Sequence, residues 1–213
     1  MTDIRKRRRH YYDVFSRFYD WFIKTHSRRD EDETRGFLAD HAAEIIHAPN
    51  ACFLDLCCGT GSVILAFEKR FPEGFCCGYD FSHGMLLRLA KKDAAKHVAI
   101  VEGDAALLPF KDNSFNVVTC SHAFYELKGG ARGKNIAEVS RVLSPSGAFL
   151  LMEHEVPEKP LIKALFYLRM AVIGADDASE FIGGDFTGLK KYFRKIDVTH
   201  SPSGKSRLVI CRK

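Results

Sequence analysis

The chain has 213 residues, 46% of them hydrophobic and 28% charged, which excludes a disordered or fibrous protein and suits one large globular domain. Its net charge of +5 equals the five consecutive cations from Arg5 to Arg9, so the remainder is close to neutral. Seven cysteines, an odd number with two vicinal pairs (Cys57-Cys58 and Cys76-Cys77) and no CxxC, make neither a disulfide framework nor a zinc site.

The N-terminus, MTDIRKRRRHYYD, is basic but precedes no apolar h-region, so no secretory signal is read and a cytoplasmic location is expected. The cationic run is expected to be a solvated end, with an anionic membrane surface as its alternative partner; nucleic acid is not expected. An aromatic helix, HYYDVFSRFYDWFI, follows. It places Tyr11, Phe15, Phe18 and Phe22 on one face and Tyr12 and Tyr19 on another, and is expected to cap a sheet.

From residue 50 onward, strand-like and helical runs alternate. Strands are predicted over Ala51–Leu56, Phe75–Tyr79, His97–Glu102, Phe115–Cys120 and Ala148–Glu153. Helices are predicted after the first strand (SVILAFEKRF), after Ser82 as N-cap, and over Arg132–Leu143, where Ser144-Pro-Ser-Gly147 is expected to stop the last. This alternation predicts a doubly wound α/β fold with a parallel sheet covered on both faces. Ile196–His200 and Arg207–Arg212, joined by SPSGKS, predict a closing antiparallel hairpin. Before it, LIKALFYLRMAVIGA (Leu161–Ala175) is interrupted by Lys163 and Arg169 and is too short to span a bilayer.

The segment ACFLDLCCGTGS (Ala51–Ser62) turns the first strand into the first core helix, where ligands of open α/β sheets gather. A dinucleotide fingerprint would read GxGxxG, but Gly59 and Gly61 are followed by Ile64. Asp55, just before the turn, would repel a pyrophosphate and attract a cation. A ligand with an amino group and a sulfonium meets both features, the two glycines letting it lie against the main chain. S-adenosylmethionine is such a ligand. Asp80, in GYDFS at the end of the second strand, stands where an acid accepts two ribose hydroxyls, and Asp104, in GDA after the third, can accept the adenine amino group. Each acid alone also reads as a cap or turn residue.

With these residues in view, the chain resembles the class I S-adenosylmethionine-dependent methyltransferases over about residues 50–155. LDLCCGTG resembles their glycine-rich first motif, GYDFS their ribose-binding acid, GDAALLPFKDNSFNVV their adenine loop and fourth strand, and RVLSPSGAFLLME their fifth-strand entry. The resemblance implies a Rossmann-like, mostly parallel seven-stranded sheet in a single domain: a helical cap (1–48), a cofactor-binding core (49–155) and an acceptor-specificity region with the closing hairpin (156–213). It implies cofactor contacts from Tyr19, Asp55, Cys57, Gly59, Thr60, Gly61, Asp80, Phe81, Asp104, Ala105, Ser121 and His122. Cys57 departs from the pattern, standing where the family often has glycine, and would crowd the methionine moiety. More distantly, YDVFSRFYD and LPFKDNSFNVV resemble the ubiquinone/menaquinone-biosynthesis type of C-methyltransferase, by which Tyr19 approaches the methionine carboxylate and Tyr12 the acceptor.

Methyl transfer from a sulfonium is an in-line displacement releasing S-adenosylhomocysteine, so the enzyme chiefly aligns the reactants. A base helps if the acceptor is a phenol or an enol carbon, and the candidates are His122, Tyr125 and Glu126 after the fourth strand and His154 after the fifth. Glu153-His154-Glu155 places neighbouring side chains on opposite faces, and no metal is expected. The expected acceptor is small and apolar or aromatic, like a quinone precursor or a lipid, walled by Leu161–Gly174 and covered by a lid over 174–186. The alternatives are a nucleic-acid methyltransferase, disfavoured because SHAFY replaces the base-methylating (D/N/S)PP(Y/F) sequence; a protein methyltransferase; a dehydrogenase; and a cofactor-binding protein without turnover.

Overall fold

The computed structural model describes residues 3–26, 30–127, 130–156, 160–172 and 186–213. Its strands are β1 (Cys52–Leu56), β2 (Phe75–Asp80), β3 (Val98–Glu102), β4 (Phe115–Ser121), β5 (Leu143–His154), β6 (Lys195–His200) and β7 (Ser206–Arg212). They form one sheet in the order β3-β2-β1-β4-β5-β7-β6, parallel through β5 and antiparallel beyond it. The chain reverses its direction of travel across the sheet between β1 and β4, the position where doubly wound folds open a ligand crevice.

Among the described residues, the longer helices are α1 (Asp3–His26), α2 (Asp30–Ile45), α3 (Ser62–Arg70), α4 (His83–Ala90), α5 (Ala131–Val142) and α6 (Pro160–Val172). Alternate strand residues point to opposite faces, and two cores result. Phe53, Val117, Leu150 and Ile210 pack with Leu38 of α2, Ile64 and Phe67 of α3, and Leu89 of α4. Leu54, Val118, Phe149 and Val209 pack on the other face with Ile136 and Val139 of α5 and with Leu189 in a helical turn, Thr187–Lys190. Phe53 anchors the first core, its ring 4.5 Å from Phe71 and 5.2 Å from Phe67.

The predicted alternation, the sheet and the hairpin are all present. Ser82 caps α4 as expected, its hydroxyl accepting the Met85 N–H at 3.3 Å. The segment 144–147 behaves differently: α5 ends and β5 begins at once from Leu143, with a register shift against β4 between Phe115 and Val117. Backbone pairing with Phe115 takes up the chain there, so the Pro-containing segment belongs to an irregular strand start rather than to a loop.

The aromatic helix is also turned differently from the simplest expectation. Tyr11 and Phe18, from the broader aromatic face, are exposed, whereas Tyr12 on the narrower face is largely covered. Phe22 lies outside the described side chains, and of the expected lid only Phe186 is described. Leu161, Leu165 and Leu168 of α6, expected as a pocket wall, are exposed.

Candidate active site

The site is built on the β1–α3 turn. Cys57, Gly59 and Gly61 have positive φ of 55°, 54° and 83°, so three residues in five are left-handed. Glycine adopts this conformation freely, while Cys57 does so at a cost of about 1–2 kcal/mol. The two glycines then serve different ends. A Cβ on Gly61 would lie 2.1 Å from the Leu89 side chain, so that position closes the turn onto α4. A Cβ on Gly59 would meet nothing within 4 Å, so that position offers bare backbone to open space.

Two buried acids hold this turn. Asp80, at the end of β2, accepts the Gly59 N–H at 2.9 Å and the Ser82 N–H at 2.8 Å, one on each carboxylate oxygen. Burial raises its pKa, and these backbone donors act in the opposite direction. Asp55 lies deeper, 2% exposed, accepting a hydrogen bond from the Thr119 hydroxyl at 2.6 Å and another from the Ile64 N–H. Because the helix cap at Gly61 has no side chain, Asp55 caps α3 from the strand below. Burial pushes its carboxyl up to about 7 despite these bonds. It therefore holds the turn to β4 from beneath, instead of standing open to a sulfonium as the sequence suggested. Thr60 is buried in the same turn, and Lys92 donates to its carbonyl at 2.7 Å.

The loop after β3, which the sequence leads one to expect beside adenine, is organised by Tyr79. Its hydroxyl donates to the carbonyls of Asp104 and Leu107 at 3.2 and 3.3 Å. Asp104 spends one carboxylate oxygen on the Ala106 N–H at 2.9 Å, making the turn that the sequence allows it. Buried Ala105 is fixed through its carbonyl, which accepts from Asn135 at 2.8 Å. Glu138 and Arg141 of α5 bind the backbone of Leu108 and Phe110, so the loop is held by a helix 30 residues away.

On the other side of the crevice the structure brings together the proposed acceptor-side residues. His122, left-handed at φ 51°, donates its N–H to the Met152 carbonyl at 2.8 Å. Its Nδ1 lies 3.2 Å from the Ser121 hydroxyl and its Nε2 2.9 Å from that of Ser206. The His154 ring lies 4.3 Å from it, centroid to centroid, and Tyr125 stands 6.4 Å from His154. Burial, with His154 as a further influence, lowers the His122 pKa to about 3, so its imidazole is neutral. Glu126 is ion-paired with Arg8 of α1.

Helix α1 roofs the crevice. Asp13 accepts from the Ser82 hydroxyl at 2.7 Å and the Gly84 N–H at 2.9 Å, placing an acid at the N-terminus of α4. The helices meet so closely that a Cβ on Gly84 would fall 2.7 Å from the Asp13 carbonyl. Arg9 pairs with Glu102 at the end of β3, so two of the five cations read as a solvated run reach acids of the core, Glu126 in the connection after β4 and Glu102. Tyr12 sits edge-on to Phe81 at 6.0 Å, with Tyr125, Arg8 and Cys57 near enough to influence its hydroxyl, whose pKa is raised chiefly by burial. Tyr19, two turns further along α1, packs edge-on against Phe15 at 5.7 Å.

Several site residues carry no local signal in the sequence. Glu153 is buried in β5, accepting the N–H groups of Phe124 at 2.9 Å and of Tyr125, and burial raises its pKa to about 8. Ser206 comes from β7, and Asp13 acts 69 residues from Ser82. Only the strand-end position of Glu153 could have been noticed beforehand.

Residues 53–147 match the family described as Methyltransferase domain. A demethylmenaquinone methyltransferase of Lactiplantibacillus plantarum is 38% identical over 129 residues, which are 58% of this chain and 54% of that protein. One of Deinococcus radiodurans is 37% identical over 137 residues, 63% of this chain and 56% of that protein. The chain thus spans about half the length of these curated relatives. A crystal structure of the PH0226 protein from Pyrococcus horikoshii covers 95% of this chain and 98% of its own, with TM-score 0.68 and 21% identity. A SAM-dependent methyltransferase from Aquifex aeolicus covers 81% and 87%, with TM-score 0.58 and 16% identity. Over residues 53–147 the chain is thus similar to the Methyltransferase domain family and to demethylmenaquinone methyltransferases, and it shares its fold with these solved structures.

Proposed function

We propose that this protein transfers a methyl group from S-adenosylmethionine to a ring carbon of a quinol-like aromatic acceptor. The observation that carries the reading is Gly59, left-handed and facing open space beside the Asp80 carboxylate and under the α1 roof. The residues present fit the cofactor. Gly59 gives it a backbone surface, Asp80 and Asp104 retain acceptor capacity for its hydroxyls and amino group, and Ala105 and Phe81 supply apolar contact. When bound, the cofactor supplies an electrophilic methyl on a positively charged sulfur.

The chain's own work is to orient the acceptor and take its proton. A ring carbon becomes nucleophilic as the adjacent hydroxyl loses its proton, and His154 is proposed to receive it. His122 suits that role less, since its nitrogens are engaged by Ser121 and Ser206 and its pKa is near 3; it orients His154 by stacking. Tyr12 and Tyr125 would face the acceptor ring. The relatives' names motivate a demethylmenaquinone-like acceptor.

The test is methyl transfer from labelled S-adenosylmethionine to reduced demethylmenaquinone, beside a panel of phenols, amines, nucleic acid and protein. Label on the quinol ring is expected. Label on another class of acceptor, or none with the donor demonstrably bound, would replace this reading.

A further inference from the structure

Helix α1 has a second face, which the crevice does not use. Tyr11, Val14, Phe18 and Trp21 recur at intervals of three and four residues and form one stripe about 15 Å long. All four are solvent-facing, with Tyr11, Phe18 and Trp21 exposed to 59, 61 and 66%. Arg7 shares the helical face, and Arg7, His10 and Arg17 are exposed beside the stripe. The opposite side of the same helix is held by Asp13 on α4, by Arg8 on Glu126 and by Arg9 on Glu102. The stripe is therefore a surface on an anchored element.

We propose that this outer face docks on an anionic lipid bilayer, with Tyr11, Val14, Phe18 and Trp21 entering the headgroup boundary and Arg7 and Arg17 lying against lipid phosphates. An amphipathic helix with Trp and Phe on one side and Arg on its flank has the composition of an interfacial helix. Tyrosine and tryptophan suit a boundary that is apolar at one end and wet at the other. Charge selects the partner. A second copy seated on this face would bring Arg7 and Arg17 near their own counterparts, whereas an anionic surface complements them and the adjoining Arg5 and Lys6 of the sequence. The proposal goes beyond the methyl-transfer reading, since it stands on the helix face and not on the acceptor.

Trp21 is the chain's only tryptophan, so tryptophan emission, excited selectively over tyrosine, reports this stripe alone. The experiment titrates the full chain with vesicles of phosphatidylglycerol and phosphatidylcholine, or of phosphatidylcholine alone. Emission is expected to shift to the blue with the anionic vesicles only. Val14→Ser with Phe18→Ser is expected to weaken binding about tenfold or more, from the loss of buried apolar area. Arg7→Glu with Arg17→Glu should weaken it by a similar factor, as about 1 kcal/mol per cation is at stake near such a surface. No shift, a shift retained in both variants, or a shift that follows protein concentration without lipid would each overturn the proposal, the last by pointing to self-association. S-adenosylhomocysteine binding measured on the same samples confirms that the variants are folded. It also separates failure at the membrane from failure of the methyltransferase reading.

Discussion

Two regions depart from the ordinary sorting of side chains, and in opposite directions. At the strand ends, acids are buried: Asp55, Asp80 and Glu153 are at most 5% exposed, each accepting backbone N–H groups. On the outer faces of α1 and α6, large apolar side chains stand in solvent. Buried acids cost stability and are kept where they hold a shaped turn; exposed apolar groups also cost, and are kept where something is to cover them. The first region organises a ligand crevice within the chain, and the second faces outward.

The largest expected effect lies in the first region. His154→Gln should lower single-turnover methyl transfer by about a hundredfold or more, within the about 10²–10⁴ that a positioned proton acceptor supplies, leaving S-adenosylmethionine affinity unchanged. An equal loss from His122→Asn with little loss from His154→Gln would reverse the roles assigned to the two rings. Asp80→Ala should weaken cofactor binding by about 1–3 kcal/mol, roughly five- to 150-fold by calorimetry, because hydroxyl contacts and the Gly59 N–H partner go together.

The buried groups also give stability a pH signature. An unfolded carboxyl loses its proton near pH 4, whereas folded Asp55 and Glu153 hold theirs to about 7 and 8, so their contribution is complete below about pH 4 and is lost as pH rises through those values. His122 acts oppositely: its pKa falls from 6.5 to about 3, so its contribution is present above 6.5 and declines as pH falls. The two trends oppose each other below about pH 6.5, and stability should fall most steeply between about 6.5 and 7, where both carboxyls still hold protons that the unfolded chain has lost. In urea unfolding, Asp55→Asn should flatten that decline by at most about 1.4 kcal/mol per pH unit, the value of one proton. An unchanged slope would mean that Asp55 ionises normally.

The smallest effect concerns Cys57. Cys57→Gly relieves a left-handed non-glycine residue and should raise thermal stability by up to about 1 kcal/mol, part of the gain being lost to glycine's greater entropy when unfolded. A lower melting temperature would show that packing around the thiol outweighs the backbone cost.

The core was legible in the sequence because buried strands bounded by glycine and proline, and helices with an apolar period, are local signals. Ser82 as a cap and the closing hairpin are of this kind. Asp80, Gly59 and Asp104 could be placed because strand ends follow from strand assignments. What could not be read is non-local. Amphipathicity announces that α1 has faces, but which one the sheet covers depends on Asp13 meeting Ser82 and Gly84. Asp55 shows its charge in the sequence and not its partner; Thr119, 64 residues away, turns it from a ligand group into a support. Glu153 likewise depends on the Phe124 and Tyr125 N–H groups, which only the folded β4–α5 connection presents.

The most direct measurement of the central claim is a crystal structure of the chain with S-adenosylhomocysteine. The expected density lies against Gly59, with the ribose on Asp80 and the adenine along Asp104–Ala105 beneath α1. Density elsewhere, or none against Gly59 at saturating ligand, would contradict it.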